Sequence, residues 1–323
     1  MPVMRRLFRA LPLLGITAAL SLSALPAHAQ GGQARVVAER RITARQLDLT
    51  VASPALGRSV KVRLLTPDGW TPRPHRAWPT LWLLHGCCDD YTSWIANTDM
   101  ASIPALRRVL VVMPEAGAAG FYSDWWNHGA GGAPRWETFH LTELRRLLER
   151  SYGAGQDRAV AGLSMGGFGA LSYAARHAGM FRGVASYSGV ADPLYQQGGP
   201  ANVLAIARGQ GADPYALWGD PLADRRIWAE HDPYVLAGAL RRLPVFLSCG
   251  DGTAGPFDPP GETSSYETLF LAESRHVADR LHALGDHRLV TDFYGHGTHS
   301  WPYWQRELHR SLPLLLGAMG VRS

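Results

Sequence analysis

The chain has almost no lysine. Lys61 is the one lysine among 323 residues, so nearly all the basic charge is arginine. Arginine suits bidentate anion contacts, yet biased codon usage accounts for the excess without a ligand. The net charge is +5, and Arg5, Arg6 and Arg9 supply three of those charges, leaving +2 for the rest. So mild a balance excludes nucleic acid as an expected partner. Cysteine is scarce too: Cys87, Cys88 and Cys249. An odd count leaves at least one thiol free or paired between chains. Adjacent Cys87 and Cys88 are poorly placed to pair with each other, and one of them could pair with Cys249 in an oxidising compartment. No C-x-x-C or H-E-x-x-H spacing occurs, so neither a metal site nor a cofactor is expected. There is no internal repeat. After residue 29 no apolar run is long enough to span a bilayer.

The first 29 residues carry a positive n-region, a largely apolar stretch at 11–25 and the small-x-small signal Ala27-His28-Ala29. This is the pattern of a secretory signal peptide. The expected mature chain starts near Gln30 and is exported, to the outside or the cell envelope, with no stable membrane span. Residues 30–323 suit one large domain.

Residues 46–52 and 59–65 partly alternate apolar and polar side chains around a Ser53-Pro54-Ala55-Leu56-Gly57 break, which predicts an antiparallel pair at a sheet edge. Residues 80–84 and 109–113 are near-continuous apolar runs, as expected for buried central strands. Pro79 falls where a missing N–H is tolerated. Residues 136–152 have helical apolar spacing. Further short strands are expected at 159–161, 183–187, 245–248 and 288–293, with a closing helix at 302–312 that Pro313 ends or kinks. Strands alternating with helices predict an α/β fold with a mostly parallel central sheet and helices on both faces. Two stretches break the alternation: 117–134, rich in glycine and aromatics, and 192–243. Both are expected to wall a pocket.

The chain is organised around Gly162-Leu163-Ser164-Met165-Gly166-Gly167, a G-x-S-x-G between the strand at 159–161 and an alanine-rich helix at 168–177. A serine at such a corner presents its hydroxyl at the top of the sheet, and the N–H of Met165 would face a developing oxyanion. The serine needs a base, and the base an orienting carboxylate. In the α/β-hydrolase order the acid and then the histidine follow the serine. His299 lies in the Gly-rich loop after the last strand, with His296 as rival. His231, in the long insertion, reads as a surface or pocket residue. Asp251, after a strand, and Glu267, at the start of the next helix, are both candidate acids. The backbone N–H of Cys87, after His85-Gly86, is the second candidate oxyanion donor.

Several motifs together resemble the antigen 85 mycolyltransferases and their relatives in the esterase D-like group of α/β-hydrolases. They are Leu84-His85-Gly86 with Asp89-Asp90-Tyr91, Phe121-Tyr122-Ser123-Asp124-Trp125, Trp136-Glu137-Thr138-Phe139, the segment 162–166, and Gly297-Thr298-His299-Ser300-Trp301 with Tyr303-Trp304. The resemblance covers nearly the whole mature chain. It implies an α/β-hydrolase fold with a helical insertion after the strand that follows the nucleophile helix. It selects His299 over His296 and favours Glu267 over Asp251. It maps the oxyanion donors to Cys87 and Met165, and makes Asp89, Asp90 and Trp301 candidate substrate contacts. It implies a secreted serine esterase or acyltransferase acting on an acyl ester, with water or a sugar or glycerol hydroxyl as acceptor. A purely hydrolytic carboxylesterase and a non-catalytic cell-surface binding protein are the alternatives. The sequence departs from the family in having no cysteine at 127–135 and His85 in place of an acidic residue. The aromatic segment 121–126 and the long insertion suit an apolar acyl chain or a carbohydrate.

Overall fold

Nine strands form a single sheet in the order β1-β2-β3-β5-β4-β6-β7-β8-β9. They are β1 (Arg35–Arg41), β2 (Gln46–Ser53), β3 (Arg58–Leu65), β4 (Trp78–Leu84), β5 (Leu110–Pro114), β6 (Ala154–Leu163), β7 (Gly183–Tyr187), β8 (Val245–Cys249) and β9 (Leu289–Phe293). The first three strands are antiparallel to their neighbours, and the sheet is parallel from β5 through β9. The structure, a computed structural model, describes residues 33–71 and 76–321. The expected leader at 1–29 lies outside the described residues.

The central strands read as apolar runs because both faces are covered. Strand β4 sends Trp82 and Leu84 into one core and Leu81 and Leu83 into the other, the two-residue alternation of a pleated strand. Pro79 sits where the pairing of β4 with β6 shifts register, so no ladder bond is lost to it. The antiparallel pair expected at the edge is present as β2 and β3, but β1 lies outside it. Its sequence, RVVAERR, is largely exposed and charged, which discourages pairing with another chain.

The helices are α1 (Ser93–Asn97), α2 (Trp136–Thr138), α3 (Arg145–Ser151), α4 (Met165–Arg176), α5 (Gly198–Gly209), α6 (Pro214–Trp218), α7 (Arg225–Ala229), α8 (Ala237–Leu240), α9 (Ser265–Ala283) and α10 (Trp301–Ala318). A π-helical turn, Phe139–Leu144, joins α2 to α3, so the helix expected at 136–152 is one helical stretch with a wide turn in it. The long stretch at 192–243 is indeed helical, containing α5 to α8. Pro313 does not end α10, which runs on to Ala318. An interior proline costs about 3 kcal/mol. Burial of Leu308, Leu312, Leu315 and Leu316 returns more than that, at roughly 1.5–3 kcal/mol per side chain. Among the described residues no helix is long and apolar enough to cross a membrane.

Candidate active site

Ser164 stands at the corner between β6 and α4 with φ 53° and ψ −122°. A non-glycine residue there carries roughly 1–3 kcal/mol of strain, which persists only where its surroundings hold it. Here they do. The Ser164 N–H donates to the Tyr187 carbonyl at 3.0 Å, and its own carbonyl accepts from Phe168 and Val190. The flanking glycines are required by space. A Cβ at Gly162 would collide with the Gly166 carbonyl, and one at Gly166 with the carbonyls of Leu84 and His85. Met165 is the first residue of α4, so its N–H has no partner within the helix.

His299 lies in the loop between β9 and α10. Its Nδ1 is 2.7 Å from Glu267 Oε2. The Glu267 side chain is fully buried at the start of α9. Its Oε1 accepts from Ser188 Oγ at 2.7 Å, the Gly250 N–H at 2.7 Å, Tyr294 O–H at 3.2 Å and the Cys249 thiol at 3.2 Å. Burial, then the Glu267 charge, pushes the Tyr294 hydroxyl and the Cys249 thiol up, so both stay protonated and donate. A buried carboxylate with every oxygen engaged is the expected way to hold a charge in a core. Trp304 packs edge-on against the His299 ring, centroids 4.8 Å apart, and its indole N–H donates to Ser188 Oγ at 3.1 Å. Ser188 thus ties the carboxylate to the aromatic wall behind the imidazole. Asp251 is elsewhere: its carboxylate faces exposed His296 at 3.5 Å and bonds Thr253.

The loop after β4 supplies the opposite wall. His85 is buried; its Nε2 accepts from the Ala116 N–H at 3.0 Å and its Nδ1 donates to the Gly86 carbonyl at 2.7 Å. Burial lowers its pKa to about 4, so the ring is neutral and that one tautomer satisfies both nitrogens. Tyr122 O–H donates to the His85 carbonyl at 2.8 Å. Gly86 abuts Leu163 and Ser164. Among the described residues the Cys87 N–H has no acceptor. Cys87 and Cys88 are paired with each other, contrary to the expectation that neighbours pair poorly. Cys88 adopts a left-handed φ of 67°. Cys249 is a free buried thiol committed to Glu267, so it pairs with neither.

These walls enclose a cavity of about 210 Å³. Ser164, His299, Gly86, Cys87, Cys88 and Asp89 line it, with Leu163, Ile206, Tyr266, Phe270 and Trp304 as the apolar part. Burial, then the neighbouring Asp90, pushes the Asp89 carboxyl up to about 6. Asp90 itself does not line the cavity: its carboxylate bonds the N–H and hydroxyl of Thr92, a local turn. Nor does Trp301, which packs edge-on against Trp94 and Trp304. The tryptophan that meets the base is Trp304. Segment 121–126 divides: Trp126 lines a second pocket with His128 and with Tyr215, Gly219, Asp220 and Asp224 of the long insertion, a pocket that Ser164 does not line. Phe121 and Tyr122 are buried beneath α4, where Phe121 packs against Phe168 and Trp218 and Tyr122 against Tyr173. His231 is likewise buried, stacked on Trp218. Of the long insertion, Ile206 of α5 reaches the cavity.

Residues 53–315 match the family model described as "Putative esterase". The chain is 31% identical over 285 residues to the diacylglycerol acyltransferase/mycolyltransferase Ag85B of Mycobacterium intracellulare, covering 85% of this chain and 84% of that protein. It is 32% identical over 285 residues to the corresponding Ag85A of Mycobacterium leprae, covering 84% and 83%. The crystal structure of Mycobacterium tuberculosis MPT51 (FbpC1) matches with a TM-score of 0.69 at 25% identity, covering 85% of this chain and 98% of that one. With a mostly parallel sheet, a strained serine at a strand-to-helix corner and this breadth of similarity, the chain belongs to the antigen 85-type, esterase D-like family of α/β-hydrolases.

Proposed function

We propose that this protein is an exported serine esterase or acyltransferase that works through an acyl-enzyme on Ser164. The observation that carries the reading is the 2.7 Å bond from His299 to buried Glu267 on the wall of the cavity that Ser164 also lines. Ser164 Oγ attacks the ester carbonyl while His299 Nε2 takes its proton. Glu267 holds the imidazole in the tautomer that leaves Nε2 free, and stabilises the imidazolium. The N–H groups of Cys87 and Met165 receive the oxyanion. The alcohol leaves with the proton from His299, and a second hydroxyl, activated by the same base, takes the acyl group. Water as that acceptor gives an esterase; a sugar or glycerol hydroxyl gives an acyltransferase. The relatives' names, diacylglycerol acyltransferase and mycolyltransferase, support acyl transfer to a hydroxyl as the class. Asp89, half-buried beside the cavity, is the proposed contact for the acceptor hydroxyl. Residues 1–29 are the proposed signal peptide and 30–323 the single catalytic domain, released outside the cell or into the envelope.

The cavity, about 210 Å³, is smaller than the roughly 300–1,000 Å³ of sites that enclose drug-sized ligands. That favours an acyl group of a few carbons, and with it hydrolysis alone as the second reading. A p-nitrophenyl ester series, run with and without trehalose, tests both. Turnover should be highest for the short acyl groups, and acylated trehalose in the products marks transfer. A fluorophosphonate probe should label the wild type and not Ser164→Ala; a wild type that takes no label is a binding protein on this scaffold, and the enzymatic reading fails.

A further inference from the structure

The Cys87–Cys88 pair does no work in the acyl-enzyme chemistry, yet it forms part of the cavity wall beside Ser164. We propose that it is a thiol–disulfide exchange site that sets the activity of the enzyme by fixing or releasing the loop that carries the Cys87 N–H. The inference rests on the function proposed above. Three features support it. The two sulfurs differ in access, Cys88 exposed and Cys87 half-buried against the core, so a reductant reaches one of them first. The third thiol, Cys249, is sealed inside the sheet against Glu267 and cannot act as a competing partner. Finally, the loop is pinned firmly just before the pair and more lightly at it. His85 is held through both ring nitrogens, whereas Cys88 is held by one backbone bond, from its N–H to the Ala118 carbonyl at 3.1 Å. Cys88 also keeps a left-handed φ of 67° that few side chains adopt unaided. On this proposal the closed disulfide helps to hold that turn, and reduction loosens it.

The chemistry balances with a thiol as co-reactant. A thiolate attacks Cys88 Sγ, the Cys87–Cys88 bond breaks, and Cys87 leaves as a thiolate that solvent protonates. A second thiol attacks the mixed disulfide, frees Cys88 and departs as the reductant's own disulfide. Two electrons pass from the two thiols to the pair. In the reduced state the Cys87 N–H is no longer held toward the oxyanion, so kcat falls. The fall should be smaller than the roughly hundredfold or more that follows outright loss of an oxyanion donor.

The test uses the full exported chain, purified without reductant, and reads thiols and turnover separately. In the native protein, alkylation followed by peptide mass spectrometry should find residues 87 and 88 unmodified. After dithiothreitol and its removal, both should be alkylated. In unalkylated samples the same treatment should lower kcat for a short p-nitrophenyl ester, and reoxidation by oxidised glutathione should restore it. The double variant Cys87→Ser with Cys88→Ser should show a kcat that does not respond to either reagent, which separates the pair from any general effect of the reductant. Free thiols at 87 and 88 before reduction overturn the proposal, and so does an unchanged kcat after both have been reduced. A wild type with neither turnover nor fluorophosphonate labelling in either state sinks the acyl-enzyme reading and the regulation with it, whatever the alkylation shows of the pair's chemistry.

Discussion

Replacing Glu267 by Gln tests the proposed triad through a tautomer rather than through the loss of a contact. Four donors surround Oε1: the Ser188 hydroxyl, the Gly250 N–H, the Tyr294 hydroxyl and the Cys249 thiol. An amide nitrogen placed there would face donors only, at a cost of roughly 1–3 kcal/mol for each buried group left unpaired. The amide oxygen therefore takes the Oε1 position and the NH2 group faces His299 Nδ1. To accept from it, Nδ1 must lose its proton, which moves to Nε2, the nitrogen that has to receive the proton of Ser164. The geometry survives and the base does not. A triad acid changed to its amide in this way lowers kcat by about 10⁴-fold, equivalent to about 5.4 kcal/mol of transition-state stabilisation. The assay is initial-rate hydrolysis of a short p-nitrophenyl ester, with KM measured alongside and expected to move little, because ground-state binding does not involve Nδ1. Asp251→Asn is the control. Asp251 serves Thr253 and exposed His296, so its kcat should stay within about twofold, the scale of a surface substitution. A Glu267→Gln variant within about tenfold of wild type, or an equal loss in Asp251→Asn, refutes the reasoning.

Trp304→Ala removes the aromatic face behind His299 and the donor to Ser188, and should lower kcat by up to about 10²-fold through misplacement of the base. Trp301→Ala, which touches Trp94 and Trp304 but not the cavity, should cost mainly stability, and equal kcat losses in the two would contradict the assignment. Gly162→Ala forces a methyl into the Gly166 carbonyl and should abolish soluble folded protein or lower Tm by several degrees, as overpacking by about 1–3 kcal/mol does. Stability against urea should fall as pH rises from about 6.5 to about 8, because Asp232, pushed up to about 8 by burial and by Asp192, and Glu307, pushed up to about 7 chiefly by burial, keep protons that the unfolded chain has released. Asp232→Asn should make that fall shallower, and an unchanged slope would exclude Asp232 as a source of it.

The elbow was readable in the sequence because its demands are local. Gly162, Ser164 and Gly166 sit within one turn, and sterics alone dictate the residue types. The proposed base and acid, His299 and Glu267, were readable only through chain order and resemblance. Ser264 and Glu267 have the Ser-x-x-Glu spacing of a capping box, which would aim the glutamate back at the helix start. Half of that box forms: Ser264 Oγ accepts from the Glu267 N–H at 3.2 Å, while the Ser264 N–H goes to the Gly252 carbonyl. The carboxylate is instead turned inward by donors from β7, β8 and the end of β9, none of them near in sequence. Ser188 and Tyr294 escaped notice for the same reason. Each lies just past the carboxyl end of a parallel strand, the one signal that could have marked them. Trp301 and Trp304 are three apart on α10, so periodicity places them as neighbours without saying which one meets the imidazole. Pro313 misled in the opposite sense, because a local rule was outweighed by the leucines packed around it.

On the proposed function, the parallel sheet fixes the reacting groups and leaves the acceptor side free to vary. Ser164 follows β6, Ser188 follows β7, Gly250 follows β8, His299 follows β9 and the Gly86–Cys87 loop follows β4. Pairing of these five strands side by side brings their carboxyl ends to one edge, whatever the chain does between them. The acyl-enzyme half of the proposed reaction therefore depends on the sheet and on two buried clusters, those around Glu267 and His85. The accepting half depends on what rises above that edge: the short loop with Cys87, Cys88 and Asp89, and α5 with Ile206. Those parts are held by their own local contacts, as Asp90 is by Thr92. They can change without disturbing the carboxylate, the imidazole or the strained serine. On the proposed function, a chain about one third identical to the acyltransferases can thus keep the serine elbow and the Glu267–His299 pair while accepting a different hydroxyl.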